Sequence, residues 1–530
     1  MKARYSTYLA NKRQYKHTNE NIQTGGHNNR EISTKNNINL KITDSILSYT
    51  KRKELRESMY GRYVFNNNIY ILGCGAIGKA MIYMLNKLFK DINPNITVID
   101  KFDLKEHVKS YIDAGMKYIQ EEITKYNYKT LLNKLQKDDL IIDCAYGMCT
   151  VDFILLCQEK ECRYICSAVD QWDYKNYNHA VDASLHNKIK NILNTNKSIQ
   201  NKNFNAVIAM GANPGNVSIW TKLGLDMINH DYKHKYNSYA ELAEKLKVQT
   251  IHISERDGQL NTDPKKPNEY CNTWSTDGES YYEEALGFSE GSWGTHELTV
   301  PINMMSMKDN LFALDKISCF TQAQSYVPLY GTFVGNIIPH EESITIGNML
   351  TVKEDGNIRY KPSVYYVYHP CNDARQSLEE MKEKNYEYQK YYRLLTNEIS
   401  TGRDELGVTF FLENGDVYWI GSLMSVEEAR DIYGNEYNKY INATIVQVIA
   451  GYVSGILYML DLAKNPANNY NGVMFAEDLP YKEILRYSFP FLGDFVFRKI
   501  KDFSLYKYDT QFTSTNKKTN IWQFANFIIS

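Results

Sequence analysis

Three glycines and one acid carry the most specific chemistry in the chain. Gly73-Cys74-Gly75-Ala76-Ile77-Gly78 follows the apolar run Asn68–Leu72 and opens an apolar helical stretch. In a Gly-x-Gly-x-x-Gly turn the first glycine makes the tight bend, the second lets the backbone approach a pyrophosphate, and the third lets helix and strand pack closely. The helix start, where Ala76 and Ile77 stand, then faces the phosphate charge. A second apolar run ends at Asp100, 22 residues after Gly78. An acid there bonds both ribose hydroxyls and repels a 2′-phosphate, so the set predicts a dinucleotide site that favours NAD over NADP. The plain alternative is a glycine turn that binds nothing, or another nucleotide.

Other groups offer proton and cation chemistry. His340 stands beside Glu341 and Glu342, and a histidine next to carboxylates can shuttle protons near neutrality. Trp274 could lay its ring over a cation, an interaction worth about 2 kcal/mol when desolvated; plain core packing is its alternative. Two histidine pairings imitate metal sites. His230 and His234 have helical spacing, but Asp231 replaces the glutamate a zinc protease uses, and His296-Glu297 lacks a second histidine. Cys144, Cys149, Cys157, Cys162 and Cys166 crowd together, yet in apolar strand-like and helical runs rather than in a metal-binding loop. No metal is expected. Nine cysteines without even pairing argue against a disulfide framework and fit a reducing cytoplasm.

The elements that must position these groups read as α/β. Short apolar runs, Asn68–Leu72, Ile96–Asp100, Asp139–Tyr146, Arg163–Val169 and Ala206–Gly211, alternate with helical stretches, the pattern of a parallel sheet. The boundaries drawn from this texture are a mobile Asn- and Lys-rich extension over 1–65, a dinucleotide domain over 66–215, an aromatic-rich substrate domain over 216–420, C-terminal helices over 421–500 returning to the first domain, and a tail over 501–530. Only a short helix, Asp44–Tyr60, is expected within the extension. Ala443–Leu460 nears the ~20 apolar residues that span a bilayer and holds a Gly451-x-x-x-Gly455 spacing. Gln447, Ser454 and two tyrosines interrupt it, so it reads as a buried helix, with no membrane partner. Lys plus Arg number 61 against 62 acids, so no overall field favours nucleic acid.

Six blocks lie past the glycine turn: Gly211-Ala-Asn-Pro-Gly215, Ile253-Ser-Glu-Arg-Asp257, Asn272-Thr-Trp-Ser275, Gly294-Thr-His-Glu297, Tyr368-His-Pro-Cys371 and Asp404-Glu-Leu-Gly-Val408. With them the chain resembles the homospermidine synthases, relatives of saccharopine dehydrogenase, from about residue 68 to 497. The resemblance implies a homodimer that joins two putrescines, or putrescine and the aminobutyl group of spermidine, through imines, with NAD recycled and ammonia released. It also implies site residues. Trp274 matches the family tryptophan and Asn213 an asparagine near the nicotinamide. Glu255 matches a glutamate of the amine channel, and His340 and Glu342 match a His and Glu pair. Asp170 stands where the family has a longer glutamate for the outer amine. Another family glutamate is assigned to Glu283, with Glu284 behind it, because strict spacing would fall on Tyr282. Asp404 is a further acid candidate.

The chemistry agrees with those residue types. A diamine is doubly protonated at neutral pH, so one end must lose its proton before hydride leaves while the other stays anchored as a cation. Carboxylates and an aromatic face suit that task. A dehydrogenase acting on saccharopine or a carboxylated polyamine would require arginine clamps, and the blocks contain only Arg256. A non-catalytic NAD sensor would have no use for Trp274, Glu255 and His340 together. The expected fold is a doubly wound Rossmann sheet with an inserted α+β substrate domain and the cleft between them.

Overall fold

The computed structural model describes residues 46–172, 184–276, 284–301, 303–307, 309–435, 437–464, 471–506 and 521–529. Seven strands form a parallel sheet: β1 (Ile69–Leu72), β2 (Ile96–Asp100), β3 (Lys117–Gln120), β4 (Leu140–Asp143), β5 (Arg163–Cys166), β6 (Asn205–Ile208) and, from far down the chain, a strand at Gly472–Phe475. Their spatial order is Gly472–Phe475, β6, β5, β4, β1, β2, β3, the doubly wound order with one strand added. β1, β4, β5 and β6 are buried along their whole length, as strands covered on both faces must be, which is why they read as unbroken apolar runs.

Because Gly472–Phe475 pairs in parallel with β6, the chain between them is an insertion. It builds a second, mixed sheet with β7 (Val248–Asp257), β8 (Phe288–Ser292), β9 (Met304–Met307), β10 (Leu311–Ile317), β11 (Gln322–Val327), β12 (Gly331–Ile338), β13 (Ser363–His369), β14 (Arg403–Leu412) and β15 (Val417–Ser425). The tenth strand, Asp494–Ile500, is antiparallel to β15. β13 runs parallel to β7, which pairs on its other side with antiparallel β14. The C-terminal stretch read as helices returning to the first domain is therefore divided between the sheets. Gly472–Phe475 serves the parallel one and Asp494–Ile500 the mixed one.

Helices α1 (Tyr49–Met59), α2 (Ala76–Leu88), α3 (Thr150–Lys160), α4 (Leu185–Ser198), α5 (Asn216–Tyr232), α6 (Glu342–Met349) and α7 (Ala443–Leu462) fill the layers. α7 is the membrane-like segment, and sixteen of its twenty residues are buried inside the protein. It packs on α2 and β5. Its small residues allow close approach: a Cβ on Gly451 would collide with the Gly211 carbonyl, and one on Gly455 would lie 2.6 Å from Ile165.

Within the described parts of the two end segments, residues 46–65 and 521–529, the chain packs against the rest of the molecule. In α1, Arg52 and Arg56 are buried. Arg52 pairs with Glu428 at 2.8 Å and Asp494 at 3.0 Å, and Arg56 with Asp431 at 3.1 Å. These acids lie hundreds of residues away, so local texture made the arginines look like solvated charge. Near the other end Trp522, Phe524 and Phe527 are buried beside Phe312, Tyr365 and Phe411 of the mixed sheet, the kind of apolar anchoring that fixes a terminal segment.

Candidate functional site

The C-terminal ends of the parallel strands face the ends of β7, β12 and β13 across a cleft of about 640 Å³. The glycine turn forms its floor. Gly73 has φ +89°, and a Cβ there would press at 3.0 Å on the Cys144 backbone at the β1–β4 switch point. A Cβ on Gly78 would collide with the Gly73 carbonyl. At the cap position of α2, Gly75 supplies no side-chain hydrogen bond, so the first amides of the helix stay available to an anion. Gly73, Gly75, Ala76, Ile77 and Asp100 all line the cleft, and Gly78 packs beneath. Asp100 is fixed by the Cys74 amide on Oδ2 at 2.6 Å and the Phe102 amide on Oδ1 at 2.7 Å. A cradle shut against side chains, with a bare helix start and a strand-end acid, fits a dinucleotide.

Opposite lie the acids. Glu255, near the end of β7, is buried and accepts hydrogen bonds from Tyr366 Oη at 2.6 Å and Asn213 Nδ2 at 2.8 Å. Burial pushes its carboxyl up to about 7, against the pull of those two donors. His340 lines the cleft between β12 and α6, with Nδ1 3.2 Å from Glu342 and Nε2 4.0 Å from Glu284. Burial opposes its charge, but Glu342, Glu284 and Glu341 outweigh it and raise the imidazole to about 10. Glu342 is thus a buried partner behind the ring at the start of α6, where the helix dipole favours an anion.

Trp274 reaches the cleft from a loop after Asn272, whose Oδ1 accepts the Trp274 and Ser275 amides at 3.0 and 2.7 Å. Asn442, the cap of α7, ties that loop down by donating to the Thr273 carbonyl at 2.5 Å. Asn213, Asp170, Glu255, Trp274 and His340 therefore meet in one cleft. Asp404 does not line it. It sits across from Asp257 on the same sheet face as Glu255, holds Gln447 at 3.0 Å, and is pushed well above the usual carboxylate range by burial and by Glu255 and Asp257. Glu283 lies outside the described residues, while Glu284 lines the cleft.

Sequence reasoning missed several lining groups. Asp143, at the end of β4, is raised to about 7 by burial, although Tyr164 and the Ala145 amide bond it. Its place at the end of an apolar strand by the switch point was the available signal. Glu290, Tyr366 and Lys188 also line the cleft, and nothing local marked them; Glu341, seen only as a neighbour of His340, lines it too. No arginine lines it among the described residues; Arg256 instead stacks on Tyr330, 3.7 Å from the ring centroid. Of the metal look-alikes, His230 is exposed beside Asp231 and His296 contacts the Trp522 carbonyl at 3.0 Å. Ligand atoms of His340, Glu341 and Glu342 lie within 4.8 Å of one another. Glu341 already accepts the Val169 amide at 2.6 Å and Glu342 the imidazole, so the group reads as an ion pair.

Fold and cleft define a dinucleotide-binding α/β protein with an acid-lined pocket. Residues 69–204 match the family model described as the saccharopine dehydrogenase NADP binding domain. The chain is 30% identical over 480 residues to homospermidine synthase of Mesorhizobium japonicum, covering 87% of this chain and 96% of that one. It is 29% identical over 477 residues to homospermidine synthase of Blastochloris viridis, covering 87% and 97%. A crystal structure of the Legionella pneumophila homospermidine synthase in complex with NAD superposes with a TM-score of 0.78 at 30% identity, covering 88% of this chain and 99% of that one. The chain belongs to the homospermidine synthase family.

Proposed function

We propose that this protein forms homospermidine from two putrescines, with NAD as a recycled hydride carrier and ammonia as the by-product. The observation that carries the reading is the meeting of the glycine cradle with Trp274, Glu255 and His340 in one cleft that no arginine lines among the described residues. Gly73, Gly75, Ala76, Ile77 and Gly78 would hold the pyrophosphate and Asp100 the adenosine ribose. Bound there, NAD would supply the hydride acceptor for the first imine and the donor for the last.

The chain's own groups manage charge and protons. Glu255, poised near 7, takes the proton from one ammonium so that the amine-bearing carbon can be oxidised. Asn213 and Tyr366 hold that carboxylate in place. His340, an imidazolium at neutral pH, gives a proton to the departing ammonia and recovers one from the incoming amine. Glu342 keeps it charged. Trp274 lays its ring over the iminium carbon. Glu284 and Asp170 carry charge for the far ammonium, and Asp404, on the same sheet face, backs Glu255. Glu283 keeps its expected catalytic place as part of the proposal. Asp100 favours NAD over NADP, because its carboxylate would repel a 2′-phosphate. A homodimer acting in the cytoplasm completes the reading.

The test is to incubate the purified protein with putrescine and NAD and to separate the amines by mass spectrometry. Homospermidine and ammonia should appear without NADH accumulating in step. NADH rising one for one with lost putrescine would mean net oxidation and would overturn the mechanism.

A further inference from the structure

Among the acids of the cleft sits a buried lysine. Lys188 lines it from the first turn of α4, its side chain 9% exposed, with Nζ 3.1 Å from Asp170 Oδ1. The first turn of a helix is unfavourable for a cation, so helix preference does not explain the residue. Asp170 is held rigidly. Gly147 donates its amide to Oδ2 at 2.7 Å and Gln171 donates its amide to Oδ1 at 2.8 Å. The pair adjoins the reacting groups, since the Val169 amide donates to Glu341, the neighbour of His340. From the mixed sheet, Glu290 accepts the Leu185 and His186 amides at 3.3 Å each, fixing the start of α4 across the cleft.

A lysine side chain ends in a primary alkylammonium, the same group an aliphatic diamine carries at each end. We propose that Lys188 is a resident counter-ion: its ammonium occupies Asp170 in the empty cleft and exchanges with the far ammonium of the amine during turnover. This rests on the diamine reading above. The lysine stem has four rotatable bonds, so its head group can withdraw without moving α4. The exchange keeps a cation beside the little-exposed Asp170 carboxylate before and after the amine binds. It also weakens the hold on a triamine product, because Lys188 competes for the same oxygen.

The experiment compares wild type, Lys188→Met, Asp170→Asn and the double variant at saturating NAD and pH 8, measuring KM for putrescine and product inhibition by homospermidine. Lys188→Met should lower KM and the inhibition constant at least fivefold, with kcat falling as release slows. The tightening should vanish in the double variant. A KM unchanged or raised in Lys188→Met, or a tightening that persists without Asp170, overturns the proposal. If Lys188→Met does not turn over, putrescine binding to the NAD-saturated variant by calorimetry is read by the same criteria. Wild type that never converts putrescine would sink the diamine reading and this inference together; wild type that does, with no tightening in the variant, sinks this inference alone.

Discussion

Glu342→Gln isolates the charge that sets the His340 proton. Glu342 Oε2 lies 3.2 Å from Nδ1 and is fully buried. At the effective dielectric of such sites, a unit charge at that distance is worth roughly 4–5 kcal/mol, or about 3 pKa units. The burial penalty and the charges of Glu284 and Glu341 remain, so the imidazole should fall from about 10 to roughly 7. In wild type the imidazolium is lost as pH rises through about 10, and the basic limb of kcat should fall there; in the variant that limb should move to near 7. Stability follows the same sign. A histidine raised above its ordinary value of 6.5 stabilises the fold fully below that pH and loses the contribution as pH rises through its folded value. The variant should therefore be less stable than wild type mainly below pH 10. The checks are kcat from pH 6 to 11 and the titration of the His340 ring proton by NMR. A basic limb that stays within half a unit of wild type refutes the assignment of Glu342.

Gly78→Ala places a methyl against the Gly73 carbonyl and should weaken NAD binding at least tenfold by calorimetry; undiminished binding would contradict the cradle. Trp274→Ala should lower kcat/KM about 30-fold, the equivalent of about 2 kcal/mol of cation–π interaction, while Trp274→Phe should keep most of the activity. Equal losses in the two would point to packing instead. Arg52→Ala leaves Glu428 and Asp494 uncompensated, and urea unfolding should show a loss of about 3–5 kcal/mol. A change under about 1 kcal/mol would mean that α1 is only loosely docked.

The centre of the parallel sheet was legible because β1, β4, β5 and β6 are buried on both faces and so appear as apolar runs, and because a glycine turn has one physical job. The blocks singled out Asn213, Glu255 and Trp274, and the neighbouring carboxylates singled out His340; all four line one cleft. Illegible features share a different cause: they depend on partners remote in the chain. Arg52 reads as solvated until Glu428 and Asp494 are placed beside it. Asp404 reads as a ligand until β14 turns it behind Glu255. Lys188 reads as one more surface lysine on α4 until Asp170 meets it. The helix at Ala443–Leu462 was legible only through the polar residues that interrupt it, since a fully enclosed helix and a membrane span have equally apolar surroundings.

The raised carboxyls have a consequence for binding itself. Glu255 and Asp143 both stand near 7, so at pH 7 each is about half protonated in the empty cleft. An arriving dication favours their ionised forms and lowers both values. Putrescine binding at pH 7 should therefore release protons, roughly half of one from each acid that meets the amine. At pH 9 both are already ionised and the carboxyl release should disappear. Calorimetry in two buffers of different ionisation enthalpy measures this as a difference in apparent binding enthalpy. Release at pH 7 that vanishes in Glu255→Gln, after allowance for Asp143, assigns the proton to the carboxyl beside Tyr366. No buffer dependence at pH 7 would mean that the amine binds without meeting Glu255, and the proton step assigned to that residue would fall.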